Sequence, residues 1–260
     1  MMRRKMIAAN WKMNLLQKDI ASYFQIFNTE LGANFTKFQM QMDMVFALPN
    51  LFLEKAIKIA SPLGLDIYAQ NFCYQEKGAF TGETSLAMLS EIGISSSLIG
   101  HSERRHLFLE DEQSVGQKVK AILAQGGKAI LCVGESLAER KAEKTAFVLE
   151  RQLLSALTLC PDIKNLAIAY EPCWAIGTGL AATPKEIQEA HAFIRKIIVQ
   201  VKGQEWGQKI RILYGGSVNE KNIGEIFGIL DVDGALVGGA SLDPAGFAQL
   251  VKLCAKEIRD

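Results

Sequence analysis

Glu171 ends an apolar run, Leu166-Ala-Ile-Ala-Tyr170, and is followed at once by Pro-Cys-Trp-Ala-Ile-Gly-Thr-Gly179. A carboxylate at the tip of a buried strand, rather than inside it, can face a pocket. Pro172 and Trp174 stiffen the chain beyond it, while Gly177 and Gly179 let backbone N–H groups approach a ligand closely. A base beneath such a loop suits removal of a weakly acidic C–H proton, because desolvation raises a carboxylate's proton affinity. A lone strand-end glutamate is more often an ion-pair partner for a nearby Lys or Arg. The lid-like segment after it favours the chemical reading here.

His101 stands in Leu98-Ile-Gly-His-Ser-Glu-Arg-Arg105. A neutral imidazole near a helix N-terminus donates well to a carbonyl oxygen that gains negative charge. An isolated histidine would instead read as satisfied by local backbone, and His106 and His191 keep that reading. Lys12, in Asn10-Trp-Lys-Met13, can set a fixed cation where negative charge is bound or develops. Most lysines lie on the surface, but the adjacent Asn10 and the strand-end position favour a pocket. Glu103 serves equally well as a partner for Lys12 or for Arg104 and Arg105. Tyr214-Gly-Gly-Ser217 and Val237-Gly-Gly239 are candidates for holding a phosphate through backbone N–H groups. One Gly-Gly is usually a turn; two in corresponding places carry more weight. Neither GxGxxG nor GxxxxGK[ST] occurs, so nucleotide-loop readings fail.

These groups are far apart in sequence and need a frame that brings them together. Short apolar runs recur at Met6–Ala9, Met44–Leu48, Leu65–Ala69, Leu98–Gly100, Ala129–Val133, Leu166–Tyr170, Ile210–Tyr214 and Ala235–Val237. Their continuous apolar character suits parallel strands covered on both faces. Helix signals lie between them. Thr183-Pro-Lys-Glu186 combines an N-cap, a first-turn proline and a capping-box glutamate, with Ile187, His191, Ile194, Ile198 and Val201 at helical spacing. Asp243-Pro244 opens the last helix, with Phe247, Leu250, Val251 and Cys254 as its inner stripe, and Gly126-Gly127 closes the fourth. This alternation predicts an α/β chain folded as one closed (β/α)8 barrel, a single domain over residues 1–260. A doubly wound open sheet is the alternative. In a barrel, Asn10 and Lys12, Gln70 and Asn71, His101, Glu171 and the two glycine pairs all fall at the C-terminal mouth.

The chain has 260 residues and about half are apolar, enough for one large core. A formal net charge of +1 argues against broad binding to nucleic acid or to an anionic membrane surface. No apolar run reaches membrane-spanning length, and the stretch after Arg3-Arg4-Lys5 is too short for a signal core. The five cysteines show no CxxC spacing and read as reduced thiols of a cytoplasmic protein, with no metal site expected.

Taken together, Asn10-Trp-Lys-Met-Asn14, Gly78-Ala-Phe-Thr-Gly-Glu83, Gly100-His-Ser-Glu-Arg-Arg105, Ala169-Tyr-Glu-Pro172, Trp174-Ala-Ile-Gly-Thr-Gly179, Tyr214-Gly-Gly-Ser-Val218 and Leu236-Val-Gly-Gly-Ala-Ser-Leu242 resemble the triose-phosphate isomerase family, in family order and from end to end. A glutamate base, a neutral histidine and a closing loop are that family's known chemistry. The resemblance implies a TIM barrel that interconverts dihydroxyacetone phosphate and glyceraldehyde 3-phosphate in glycolysis and gluconeogenesis, without a cofactor. It implies Glu171 as proton carrier, His101 as electrophile, Lys12 and Asn10 on the substrate oxygens, and the N–H groups of Gly177, Ser217, Gly238 and Gly239 on the phosphate. It also implies a homodimer in which the loop Cys73–Glu83 inserts beside Met13 and Asn14 of a second copy. The chain departs from the family pattern at Cys173, Leu180-Ala181, Leu109 and Thr84, none of them a proposed catalytic group. Another phosphosugar-processing barrel is the nearest alternative, although a Schiff-base aldolase needs a strand lysine and the runs after Lys5 offer none. A non-catalytic phosphosugar-binding protein is the third reading.

Overall fold

The computed structural model describes residues 3–176 and 181–258. Each of the eight apolar runs overlaps a strand: β1 (Lys5–Asn10), β2 (Met42–Leu48), β3 (Asp66–Ala69), β4 (Ser96–Ile99), β5 (Lys128–Val133), β6 (Leu166–Tyr170), β7 (Arg211–Tyr214) and β8 (Gly234–Val237). Neighbours in sequence pair in parallel, and β8 closes on β1 through Met6↔Gly234 to Ala9↔Val237. The closed barrel excludes the open doubly wound sheet.

Strand residues alternate between two buried layers, which is why the runs are apolar throughout. Met6, Ala8, Val45, Ala47, Tyr68, Leu98, Ile130, Cys132, Ala167, Ala169, Leu213 and Leu236 fill the barrel interior. Ile7, Ala9, Phe46, Leu131, Ile168 and Tyr214 face outward and pack against the surrounding helices. β4 differs from its sequence pattern. It begins with Ser96 and Ser97, and Gly100 leaves it with φ 68°. Ser97 is buried because its hydroxyl donates to the Ala69 carbonyl, so a polar side chain is satisfied inside the wall.

The helix signals act as read. Thr183 and Glu186 form the reciprocal capping box of Pro184–Lys202, and Asp243 caps Pro244–Glu257 through the Gly246 N–H. At the N-terminal rim Asp43 is held between Arg4 and Arg211, and Asp233 between Arg3 and Arg195. Lys128 opens β5 but is exposed at this rim and pairs with Asp66. No helix among the described residues is long and apolar enough to cross a membrane.

Candidate active site

At the C-terminal mouth a cavity of about 390 Å³ is lined by Asn10, Lys12, His101, Glu171, Ser217, Gly238 and Gly239. Seven of the eight site residues read from the sequence thus meet in one place. The eighth, Gly177, lies outside the described residues.

Glu171 is 2 % exposed at the end of β6. Its Oε2 accepts the Ser102 N–H at 2.9 Å, and its Oε1 stands 3.0 Å from Nε2 of His101. Gly215 leaves room for it: a Cβ there would lie 2.9 Å from the Glu171 Cγ. His101 is the N-cap of the short helix Ser102–Leu107. Its Nδ1 accepts the Glu103 N–H at 3.2 Å, so the neutral ring carries its proton on Nε2 and donates it to Glu171.

This pairing corrects the expected direction for the base. Burial does push the Glu171 pKa up, but the charge and hydrogen bond of His101, the Ser102 N–H and Lys12 outweigh it, and the carboxyl sits below its ordinary range. Desolvation alone would raise that pKa; here the neighbouring groups together outweigh burial. His101 is the mirror case. Burial disfavours its imidazolium, the Glu171 carboxylate favours it, and the carboxylate prevails, raising the ring's pKa.

Lys12 adopts a left-handed backbone, φ 51°. Three contacts hold it there. Its N–H donates to Asn10 Oδ1 at 3.0 Å, its carbonyl accepts the Gln70 amide at 3.0 Å, and its ammonium donates to Glu103 Oε1 at 2.7 Å. Glu103 therefore serves Lys12, while Arg104 turns to Glu110 and Arg105 to Glu112. Across the mouth, a Cβ on Gly238 would lie 3.4 Å from the Lys12 Cε. Among the described residues the backbone N–H groups of Ser217, Gly238 and Gly239 donate to no protein acceptor. The wall thus offers amide donors beside a cation, a set suited to an anion.

A family model described as triosephosphate isomerase matches residues 5–254. The chain belongs to the triosephosphate isomerase family. It is 43% identical over 249 residues to a triosephosphate isomerase of Aquifex aeolicus, covering 95% of this chain and 98% of that one. It is 41% identical over 251 residues to one from Chlorobium luteolum, covering 96% and 99%. A third, from Lactiplantibacillus plantarum, is 41% identical over 252 residues, covering 96% and 98%.

In this member of the family further residues support the site from behind its lining. Glu135 is fully buried beyond β5 and accepts from the Tyr170 hydroxyl at 3.1 Å, the Trp174 indole at 2.9 Å and Arg140 at 3.2 Å. Arg140 also covers the Trp174 ring at 4.6 Å. Glu135 thus anchors the first described turn of the segment after Glu171, Cys173–Ala175. Its signal was present: like Glu171, it is a carboxylate just past the end of an apolar strand. Gln70, at the mouth after β3, donates to the Lys12 carbonyl. Cys132 and Cys173 lie near Glu171, and burial first and that carboxylate second push the Cys173 thiol up to about 12 and raise the Cys132 thiol as well. Neither is a ready thiolate.

Proposed function

We propose that Glu171, His101 and Lys12 perform the family's reaction in this chain, the interconversion of dihydroxyacetone phosphate and D-glyceraldehyde 3-phosphate through an enediolate, as a step of glycolysis and gluconeogenesis. The observation that carries the assignment is the 3.0 Å approach of His101 Nε2 to Glu171 Oε1 in a cavity whose wall offers the amides of Ser217, Gly238 and Gly239. A substrate phosphate on those amides, and on Gly177 by family resemblance, sets the carbon skeleton between imidazole and carboxylate. The substrate carbonyl then takes the Nε2 proton that Glu171 accepts in the free site. That exchange gives the carbonyl its electrophile and strips the carboxylate of its strongest stabiliser, so Glu171 becomes more basic when a C–H bond is in reach.

Glu171 takes a proton from one carbon and returns it to the next. His101 moves protons between the two oxygens, and the Lys12 ammonium with Asn10 stabilises the enediolate. A positioned base supplies only about 10²–10⁴-fold in rate, so the fixed donors, at roughly 3–4 kcal/mol each, must supply much of the rest. Binding energy from the phosphate, remote from the reacting carbons, would drive closure of the segment 172–182 and keep water from the intermediate.

The whole chain acts as one domain, in the cytoplasm, and pairs as a homodimer. Met13, 95% exposed, and the exposed Leu107, Phe108 and Leu109 leave apolar surface beside the mouth, and Phe80 is exposed on the loop Cys73–Glu83. Such surface marks an interaction site, and a second copy covers it in this reading. Sedimentation at micromolar concentration should return twice the 28.6 kDa of one chain; a monomer mass would reject the dimer. The reaction is tested by a coupled assay on glyceraldehyde 3-phosphate, in which absence of turnover by the purified chain would overturn the assignment.

A further inference from the structure

The glycine turn after β8 is fastened from below by a residue far from it in sequence. Tyr23 lies on the buried face of the helix Asp19–Leu31, among Trp11, Phe24 and Phe46. It is 3% exposed, and its hydroxyl donates to the Ser241 carbonyl at 2.5 Å, 218 positions along the chain. Ser241 is itself fully buried, and it grips Gly238 twice. Its Oγ donates to the Gly238 carbonyl at 2.7 Å, and its N–H to the same oxygen at 2.8 Å. Gly238 is the residue whose Cα faces the Lys12 side chain.

A polar chain therefore runs from Tyr23 through Ser241 to the Gly238–Gly239 wall of the cavity. Its other end is also tied to the site. The Tyr23 ring packs on Trp11 with centroids 4.6 Å apart, and Trp11 lies between Asn10 and Lys12. Tyr23 thus touches the segment that carries the cation and the turn that carries the amides. A buried carbonyl held by a single hydroxyl loses its compensation when that hydroxyl is removed, and the turn then shifts to find another donor. A shift of tenths of an ångström in amides meant for one phosphate weakens binding without touching the groups at the reacting carbons.

We propose that Tyr23 is a positioning residue for the anion site: its hydroxyl, through Ser241, sets the Gly238–Gly239 amides against Lys12 for a phosphate dianion. This rests on the assignment of those amides to the substrate phosphate. The test compares Tyr23→Phe with wild-type full-length chain by calorimetric titration of inorganic phosphate, by steady-state kinetics on glyceraldehyde 3-phosphate, and by turnover of unphosphorylated glyceraldehyde. Phosphate Kd and KM should rise together by about five- to tenfold, the size of one ordinary hydrogen bond, while kcat stays within about twofold. Turnover of the unphosphorylated aldehyde should not change. Wild-type phosphate affinity in Tyr23→Phe, with only a lowered Tm, would make the hydroxyl a stability contact and overturn the proposal. So would an equal loss on both aldehydes. If Tyr23→Phe does not fold, Ser241→Ala breaks the next link and should give the same split; an unchanged Kd there overturns the proposal equally. Absence of phosphate binding by wild-type chain would instead sink the anion-site assignment, and absence of turnover with phosphate binding intact would sink the isomerase reading alone.

Discussion

The neutral His101 ring donates from Nε2 to the Glu171 carboxylate, and that carboxylate's place at the reacting carbons sets what its removal should do. The Glu171 carboxylate accepts from Ser102 N–H at 2.9 Å and lies beside His101 Nε2 at 3.0 Å. Glu171→Gln keeps the volume and an oxygen for the Ser102 N–H but cannot take a proton from carbon. Its kcat should fall by about 10³-fold or more, within the range for loss of a general base, while inorganic phosphate affinity stays within about twofold of wild type. Steady-state kinetics and phosphate titration read both; a collapse of affinity with a high residual rate would move the base elsewhere. At this scale the residue types were legible in the sequence because strand-end carboxylate, imidazole and ammonium each sit where a barrel places chemistry. The direction of the Glu171 pKa was not. It depends on the distance to a histidine seventy positions away, which no local pattern records. The preference of Glu103 for Lys12 over its arginine neighbours was hidden for the same reason.

Strand ends, rather than helices, decide how closely the proposed catalytic groups approach. β5 and β6 run side by side up to Val133↔Tyr170, and the Glu171 N–H still donates to the Val133 carbonyl at 2.7 Å. Gly134 follows at once, and a Cβ there would overlap the Glu171 carbonyl. Gly134 cannot retreat, because Gln152 holds both its N–H, at 2.7 Å, and its carbonyl, at 3.1 Å. Gly134→Ala should therefore displace Glu171 from Ser102. We expect kcat to fall at least about tenfold and stability to drop by about 1–3 kcal/mol, the usual cost of overpacking. A urea melt and a kcat within error of wild type would show that the strand ends yield instead. The eight strands were legible because parallel strands buried on both faces leave apolar runs. β4 was mispositioned at its start because Ser96 and Ser97 are buried serines, and Ser97 is satisfied by a carbonyl of the neighbouring strand. Pairing across strands makes a polar residue tolerable in the wall, and that pairing is invisible to periodicity. Glu135 shares the strand-end position of Glu171, but its role rests on Tyr170 and Trp174, 35 and 39 positions along the chain, and that pairing leaves no local pattern.

One fully buried histidine lies away from the mouth of the barrel, and it ties global stability to pH. His191 is fully buried within Pro184–Lys202, with Nδ1 3.0 Å from the Asp231 carbonyl, Nε2 without a partner among the described residues, and the Tyr170 ring edge-on at 6.0 Å. Burial lowers its pKa from 6.5 to about 4, against the opposing pull of the Asp231 carbonyl and Asp233. The folded chain therefore keeps this ring neutral while the unfolded chain protonates it. Its contribution is fully present above pH 6.5 and is lost as pH falls toward about 4, reaching about 3 kcal/mol at the acid end. His101 acts in the opposite sense. Its raised pKa gives stability that is complete below the unfolded value and lost as pH rises through the folded one. The wild-type profile thus combines these opposing histidines with carboxylates such as Glu171, Asp43 and Asp231, whose lowered pKa values give stability that is lost as pH falls, and a variant is needed to isolate His191. His191→Asn keeps a donor toward the Asp231 carbonyl and removes the titration. At fixed chain concentration, urea midpoints converted to free energy should show wild type losing about 2 kcal/mol more than the variant between neutral pH and about pH 5. Equal losses in the two chains would mean that water or a shifted carbonyl already reaches Nε2 in the folded state, and that the ring protonates there without unfolding the barrel.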